Sequence, residues 1–427
     1  MDSKDGRLFG NNPIMNCFFA MIIISIVVSI ISMIVTGGDA LKYVTCNSDS
    51  DDLPDFIEVM IRSYQKNPYE QGSTYLPFTF LVFHLISIFI PGIEYVTIRS
   101  MSWTNPMFFN FAYVFCLFVA VCFSIMVTYI FENVKDKRNR YALLFLLFFS
   151  TASLWMFERG NILFIAVTFL FIFCFNYGSD SKRAHIVSLL ALSIAATIKP
   201  YMAIYGILFL KRRDYSSIII CVAFTLIINI ISILFFGGIG EIGTLLHNMV
   251  SLNDESSFVD GYKMDVTNLI YETVAIFGGD YHNFTTIATV IKYLIVIGLV
   301  IASFFEKSDW KTLVILALVY IMFSNISWIY LMLLTILPLI YVFREEGCPV
   351  MQSYSHESLY VLMITATMVP IPVGLLCLPI GINTVSCFYY IYSVIILILS
   401  LMMIYNSFLK DRVIRSDRKN DLSDANV

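Results

Sequence analysis

The sequence predicts an all-α, polytopic bundle of transmembrane helices. Three observations predict it. Hydrophobic residues make up 58% of the 427 positions and charged residues only 14%. The mean hydropathy is +0.79. The apolar residues fall in long runs with short polar stretches between them. A soluble domain of this balance would have too little polar surface to cover its core. The formal net charge of −4 decides little, and no long basic tract argues for a nucleic-acid partner. The nine cysteines show neither a CxxC pair nor metal-ligand spacing. Cys116, Cys122, Cys174 and Cys221 lie inside hydrophobic runs, which reads as buried thiols rather than a disulfide framework.

The runs are taken in order. The first, 15–36, is long enough to span, and no small-residue cleavage site follows it, so it reads as a permanent helix after a short end carrying Lys4 and Arg7. Further runs follow at about 76–97, 107–131, 141–157, 162–177, 185–210 and 216–236, then 286–305, 311–327, 328–343, 358–378 and 388–409. These are about 11–13 segments. Flanking lysine and arginine set the orientation. Lys410, Arg412, Arg415, Arg418 and Lys419 make the C-terminal tail cytoplasmic, as Lys211, Arg212 and Arg213 make theirs. The two large polar loops, 37–75 and 237–285, then share the outer face, which suggests one site built from both. The middle resists this count. Lys135, Lys137, Arg138 and Arg140 call for the inside, yet simple alternation puts them outside. Either an early segment is re-entrant or the 185–210 run is broken at Lys199-Pro200, where proline removes a backbone donor. Broken helices in a bundle usually line a cavity. No internal repeat or low-complexity segment is present.

The loop from Asp49 to Pro77 holds the densest chemistry, with Asp49, Asp51, Asp52, Asp55 and Glu58 ahead of Asn67-Pro68-Tyr69 and Tyr75-Leu76-Pro77. So polar a loop cannot lie in lipid. Carboxylates beside aromatic rings at a membrane surface suit binding and activation of a sugar or an alcohol. Most acidic loop residues are simply solvated. Asp55 stands out because Phe56 follows it and a short helix lying on the membrane could begin there; Asp39, near the end of the first helix, is the second choice as a catalytic carboxylate. Arg159, in Glu158-Arg159-Gly160-Asn161, and Lys199 interrupt apolar runs. Ionisable residues in such places mark sites. As outward hairpin apices the two would hold a phosphate; as ordinary loop flanks they would snorkel to water. Spacing alone leaves both open. His84, inside a run, suits a helix contact better than catalysis. The loop 237–285 carries Glu241, His247, Asp254, Glu255, Asp260, Asp265 and His282 without a metal motif. Asn283-Phe284-Thr285 fits a glycosylation acceptor triplet, a pattern common by chance. Walker, GxGxxG and GxSxG elements are all missing.

Over about residues 15–345 the chain resembles the GT-C superfamily of integral-membrane glycosyltransferases, which use a polyprenyl-phosphate sugar as donor. It is most similar to bacterial members that modify cell-envelope glycans. Asp55-Phe56, Asn67-Pro68-Tyr69 and Tyr75-Leu76-Pro77 resemble the family's first outer loop, with Leu76 in place of a proline. Gly160-Asn161 falls where the family has a Gly-Gln-x-Asn turn. Lys199-Pro200, followed by Lys211-Arg212-Arg213, resembles a Lys-x-x-Pro element with a basic helix end, although here the proline is adjacent to the lysine. Ser324-Asn325-Ile326-Ser327-Trp328 resembles a late Ser-Pro-x-Ser-Trp turn, with Asn325 replacing the proline.

The resemblance implies a GT-C-like catalytic module over 1–345, with outer loops 37–75 and 237–285, and C-terminal helices with a cytoplasmic tail over 346–427. It implies that Asp55 is the catalytic base, that Arg159 and Lys199 bind the donor phosphate, and that Tyr69, Tyr75, Asn161 and Trp328 contact substrate. It also implies a polyprenyl-phosphate hexose donor, a lipid-linked or envelope glycan acceptor, membrane lipid around the chain, and a bacterial inner membrane with the site on the periplasmic face. No metal ligand set is visible, although the acidic loops could hold a divalent cation such as Mg or Mn. Two other classes fit the composition. An O-antigen or capsule polymerase would lean on arginines in its outer loops, which here are acidic. A transporter or flippase often shows related halves, which this chain lacks.

Overall fold

The computed structural model describes residues 12–40, 53–65, 67–96, 105–255, 263–324, 328–371, 377–380 and 383–424. Along them run helices α1 (Pro13–Val35), α2 (Pro54–Tyr64), α3 (Pro77–Ser87), α4 (Pro106–Asn133), α5 (Lys137–Phe149), α6 (Thr151–Arg159), α7 (Leu163–Asn176), α8 (Lys182–Ile198) and α9 (Ile207–Lys211). These are followed by α10 (Tyr215–Ile233), α11 (Glu241–Glu255), α12 (Val266–Ile276), α13 (Thr285–Phe305), α14 (Asp309–Phe323), α15 (Ile336–Arg344), α16 (His356–Met368) and α17 (Cys387–Asp424). The regular elements among the described residues are helical, as expected, apart from one short antiparallel hairpin, β1 (Cys377–Ile380) with β2 (Asn383–Ser386).

The helices start where local chemistry lets them. Proline opens α2, α3 and α4, where a missing N–H costs nothing. Side chains of Asn105, Asp136, Ser150, Ser181, Asp214, Asp265 and Ser355 accept from the first free amides of α4, α5, α6, α8, α10, α12 and α16.

Among the described residues, six segments are long and apolar enough to cross a membrane: Pro13–Val35, Pro106–Asn133, Lys137–Arg159, Tyr215–Ile233, Tyr281–Phe305 and Tyr390–Phe408. Two of them carry unpaired apolar stripes at helical spacing. On α10 the stripe is Ile219, Val222, Leu226 and Ile230; on α13 it is Ile287, Val290, Leu294, Ile297 and Ile301. In water each Å² of that surface would cost about 25 cal/mol, so a bilayer is its natural cover. The chain is a multi-pass membrane protein.

Several expected spans take another form. The 76–97 run becomes α3, whose 11 residues cover about 16 Å, far short of a hydrocarbon core of about 30 Å. The 185–210 run breaks at Lys199. Pro200 cannot donate to the helix, so α8 gives way to the 3-10 helix Pro200–Gly206. The 141–157 run divides at Ser150, which caps α6. The 328–343 run opens as the 3-10 helix Ile329–Thr335, and the 358–378 run stops as helix at Met368.

The chain divides into two compact units, Ser32–Phe258 and Met1–Ile31 together with Val259–Val427. In the Ser32–Phe258 unit, α7 is the centre: Leu163, Phe164, Ala166, Val167, Leu170 and Phe171 are buried, and the helix packs on α8 and α4. Helix α10 packs on α8 and α3, and α3 on α2. In the other unit α14 is buried from Trp310 to Met322 and packs on α13 and α15.

Candidate active site

Helix α2 is short and two-faced. Phe56, Ile57, Val59, Met60 and Ile61 are buried, while Asp55, Glu58 and Arg62 share the other side at spacings of three and four. Phe56 anchors it among the rings of Phe83, Phe115 and Phe118, at 5.8, 5.1 and 6.0 Å. Asp55, next to that anchor, sits in the first turn, where the helix dipole favours a carboxylate.

The turn between α6 and α7 meets this helix start. Arg159 grips the Asp55 carboxylate side-on, with Nη2 donating to Oδ1 at 2.6 Å and Nε donating to Oδ2 at 3.3 Å. Asn161 Nδ2 donates to Oδ2 at 2.6 Å, while its Oδ1 accepts from the Leu163 amide at 2.9 Å. One side chain thus caps α7 and holds Asp55, which fixes the amide's orientation. The Leu53 amide donates to the Glu158 carbonyl at 2.9 Å, so backbone joins backbone beside the ion pair.

That junction is strained and tight. Leu53 has φ 52° and Gly160 φ +62°. A Cβ on Gly160 would lie 2.8 Å from Phe56 Cβ and 3.2 Å from Leu53 Cα. Glycine is therefore needed at Gly160 both for its backbone conformation and for the close approach.

Lys199 ends α8 and lies within electrostatic range of both Asp55 and Arg159. Its ammonium stands 4.9 Å from the ring centre of Tyr75, a cation–π contact. Two bonds brace this corner: Thr79 Oγ1 donates to the Thr197 carbonyl at 3.2 Å, and the Phe78 amide donates to Asn229 Oδ1 at 3.3 Å. The structure thus brings together Asp55, Arg159, Asn161, Lys199 and Tyr75, which lie on four separate stretches of sequence.

Tyr69 lies two ring contacts further on. Its ring meets Phe80 edge-on at 5.8 Å, and Phe80 meets Tyr75 at 6.2 Å. The two polar loops touch here, since Asn248 Nδ2, on α11, donates to the Tyr69 and Ser73 carbonyls at 2.9 and 3.1 Å. Burial pushes the Tyr69 hydroxyl well above the ordinary phenol range, and Glu241 adds to the shift.

Asp39 is in an exposed turn after α1. Trp328 belongs to the unit that includes Val259–Val427, where it bridges Lys263 and meets Tyr330 edge-on at 6.0 Å. Most of its motif, 325–327, falls outside the described residues, as do Asp49, Asp51, Asp52 and Asp260. His84 makes the expected helix contact, with Nδ1 2.8 Å from the Ser63 carbonyl. Among the described residues, no three His, Cys, Asp or Glu side chains gather as a metal-binding group. The steric role of Gly160 and the tie through Asn248 have no sequence signal beyond residue type.

The chain matches no family model, no curated protein and no solved structure in these comparisons.

Proposed function

We propose that the chain is a GT-C-type integral-membrane glycosyltransferase that moves a hexose of the glucose or mannose class from a polyprenyl-phosphate donor to a lipid-linked or envelope glycan, with inversion. One observation carries the reading. Asp55, Arg159, Asn161 and Lys199 converge on one carboxylate flanked by two cations.

The charges suit the chemistry. Asp55 takes the proton of the acceptor hydroxyl. The freed oxygen attacks the anomeric carbon, and the bond from that carbon to the phosphate oxygen breaks. The departing lipid phosphate is a monoester carrying close to two negative charges. Asp55 is by then neutral, so Arg159 and Lys199 present two positive charges to it. Stabilising charge that develops in the reaction is the strongest electrostatic contribution a site can make. Before reaction, Arg159 holds the Asp55 carboxylate in place; the arriving phosphate competes for the same guanidinium and releases the base.

Helix lengths support a site on the outer face of the membrane, which this reading takes to be a bacterial inner membrane. With α3 too short to cross, α4 carries the chain over and leaves Lys135, Lys137, Arg138 and Arg140 on the side opposite Asp55. The positive-inside rule makes that side cytoplasmic.

The test is transfer from a panel of radiolabelled polyprenyl-phosphate hexoses to candidate lipid-linked glycans, using purified wild type and Asp55→Asn. Transfer by the wild type alone is expected. Full activity in Asp55→Asn would remove Asp55 from the mechanism, and no transfer from any donor by folded wild type would overturn the reading.

A further inference from the structure

The turn that carries Tyr69 is tied by side chains at several backbone groups, while the Tyr69 hydroxyl has no partner among the described residues. Asn67 Oδ1 accepts from the Tyr69 amide at 3.1 Å, and Asn248 donates to the Tyr69 and Ser73 carbonyls. Arg62 Nη1, on α2, donates to the Gln71 carbonyl at 2.7 Å. Four side-chain bonds therefore clamp a turn of a few residues. The Tyr69 side chain is 1% exposed, yet among the described residues no group lies within hydrogen-bonding distance of its hydroxyl.

Glu241 opens α11 and faces the same place. It is within electrostatic range of Tyr69, and its Oε2 is also buried with no hydrogen-bond partner among the described residues. Gly237 has φ +89°, and a Cβ there would lie 2.6 Å from Glu241 Cγ and 3.2 Å from Asn67 Nδ2. The carboxylate is packed against a glycine and cannot simply swing away.

A buried polar atom without a partner is costly, because the hydration it lost is not replaced. Here two such atoms come as a complementary pair, a neutral hydroxyl that donates and a carboxylate that accepts. A hydroxyl-bearing molecule satisfies both at once, accepting from the phenol and donating to the carboxylate, a chemistry that a sugar hydroxyl and a water share. Aromatic rings stand beside it, as sugar sites require, and two ring contacts link it to Tyr75 and Lys199.

We propose that Tyr69 and Glu241 form a subsite that binds a sugar hydroxyl of the glycan acceptor. This rests on the glycosyl-transfer reading and deepens it by naming the acceptor's contacts. Tyr69→Phe removes the hydroxyl and keeps the ring on Phe80. The full chain, purified in lipid nanodiscs free of sugar detergents, would be titrated with methyl glycosides of glucose, mannose, galactose and N-acetylglucosamine and read by saturation-transfer NMR. At least one glycoside is expected to bind, and about tenfold more weakly to Tyr69→Phe. Glu241→Ala is expected to weaken it by a similar factor, and Asp55→Asn to leave binding intact. Equal binding by wild type and both variants, or no glycoside bound by folded wild type, would overturn the proposal. Binding through Tyr69 without any hexose transfer would sink the transferase reading alone. Transfer with an unchanged acceptor KM in Tyr69→Phe would sink the subsite alone.

Discussion

Two mixed-charge clusters, one in each compact unit, invite comparison. In one, Lys311 sits between Glu306 and Glu357 at 3.4 and 2.8 Å. In the other, Asp55 sits between Arg159 and Asn161, with Lys199 in range. The first has one cation between two carboxylates. It joins the end of α13 to the first turns of α14 and α16, and none of its three residues has a left-handed backbone. The second has one carboxylate between two cations, and the backbone beside it is left-handed at Leu53 and Gly160. Backbone strain persists where function holds it in place. We read the Lys311 cluster as a staple and the Asp55 cluster as the candidate site.

The largest effect should come from the central carboxylate. Asp55→Asn keeps the size and most hydrogen-bonding capacity of the side chain, so folding should persist while turnover falls about 10²–10⁴-fold. Paired transfer and thermal-melt measurements check this. If the melting temperature fell as far as activity did, Asp55 would be a staple like Lys311. Next come the cations. Arg159→Lys keeps the charge but loses the side-on pair, so it should behave nearly as badly as Arg159→Ala, with roughly a hundredfold loss of kcat. Lys199→Met should lower kcat similarly. Rescue by Arg159→Lys to wild-type rate would mean that charge alone matters at that position.

The sequence made the membrane class and most helix positions legible because hydrophobic length is a local property. It also singled out Arg159 and Lys199, since charges that interrupt apolar runs are conspicuous, and Asp55, because Phe56 follows it where a short helix could begin. What it hid was non-local. Whether 76–97 crosses depends on where the chain turns at Pro91-Gly92, and the length of the run cannot reveal that. The Asp55 site depends on Gly160 admitting Phe56, a contact between residues 104 positions apart. Glu241 was visible only as one acid among several in a polar loop, since its relation to Tyr69 is made by α11 folding back onto the turn. Trp328 carried a motif, yet it falls in the other compact unit, and no spacing rule tells which unit a segment joins.

The comparison sharpens from the other side at Lys311. Lys311→Met removes the cation that faces Glu306, 10% exposed, and leaves that carboxylate only its amide bonds from Lys307 and Ser308 among those described. Breaking a buried pair in this way costs about 3 kcal/mol, less here because Glu357 is 36% exposed. The expected outcome is a lower melting temperature with unchanged transfer per folded molecule. A rate loss without destabilisation would erase the distinction between staple and site.

The smallest expected effect is at Asp214, a carboxylate that only caps a helix. It accepts from the Ser217 amide at 3.1 Å and from the hydroxyls of Ser217 and Ser216. The Ser217 hydroxyl bond is the main reason its carboxyl is held below the usual range; desolvation opposes this, and Ser216 and His185 assist. A carboxyl depressed in the folded state stabilises most above its unfolded value, near pH 4. That stabilisation is lost as the pH falls through the lower folded value. Asp214→Ala should therefore cost about 1 kcal/mol at neutral pH, with transfer unaffected. Melts from pH 8 downward should show a constant gap between wild type and variant that narrows only below about pH 4. A gap that already closes near neutral pH would mean that the stabilisation does not come from the Asp214 carboxylate.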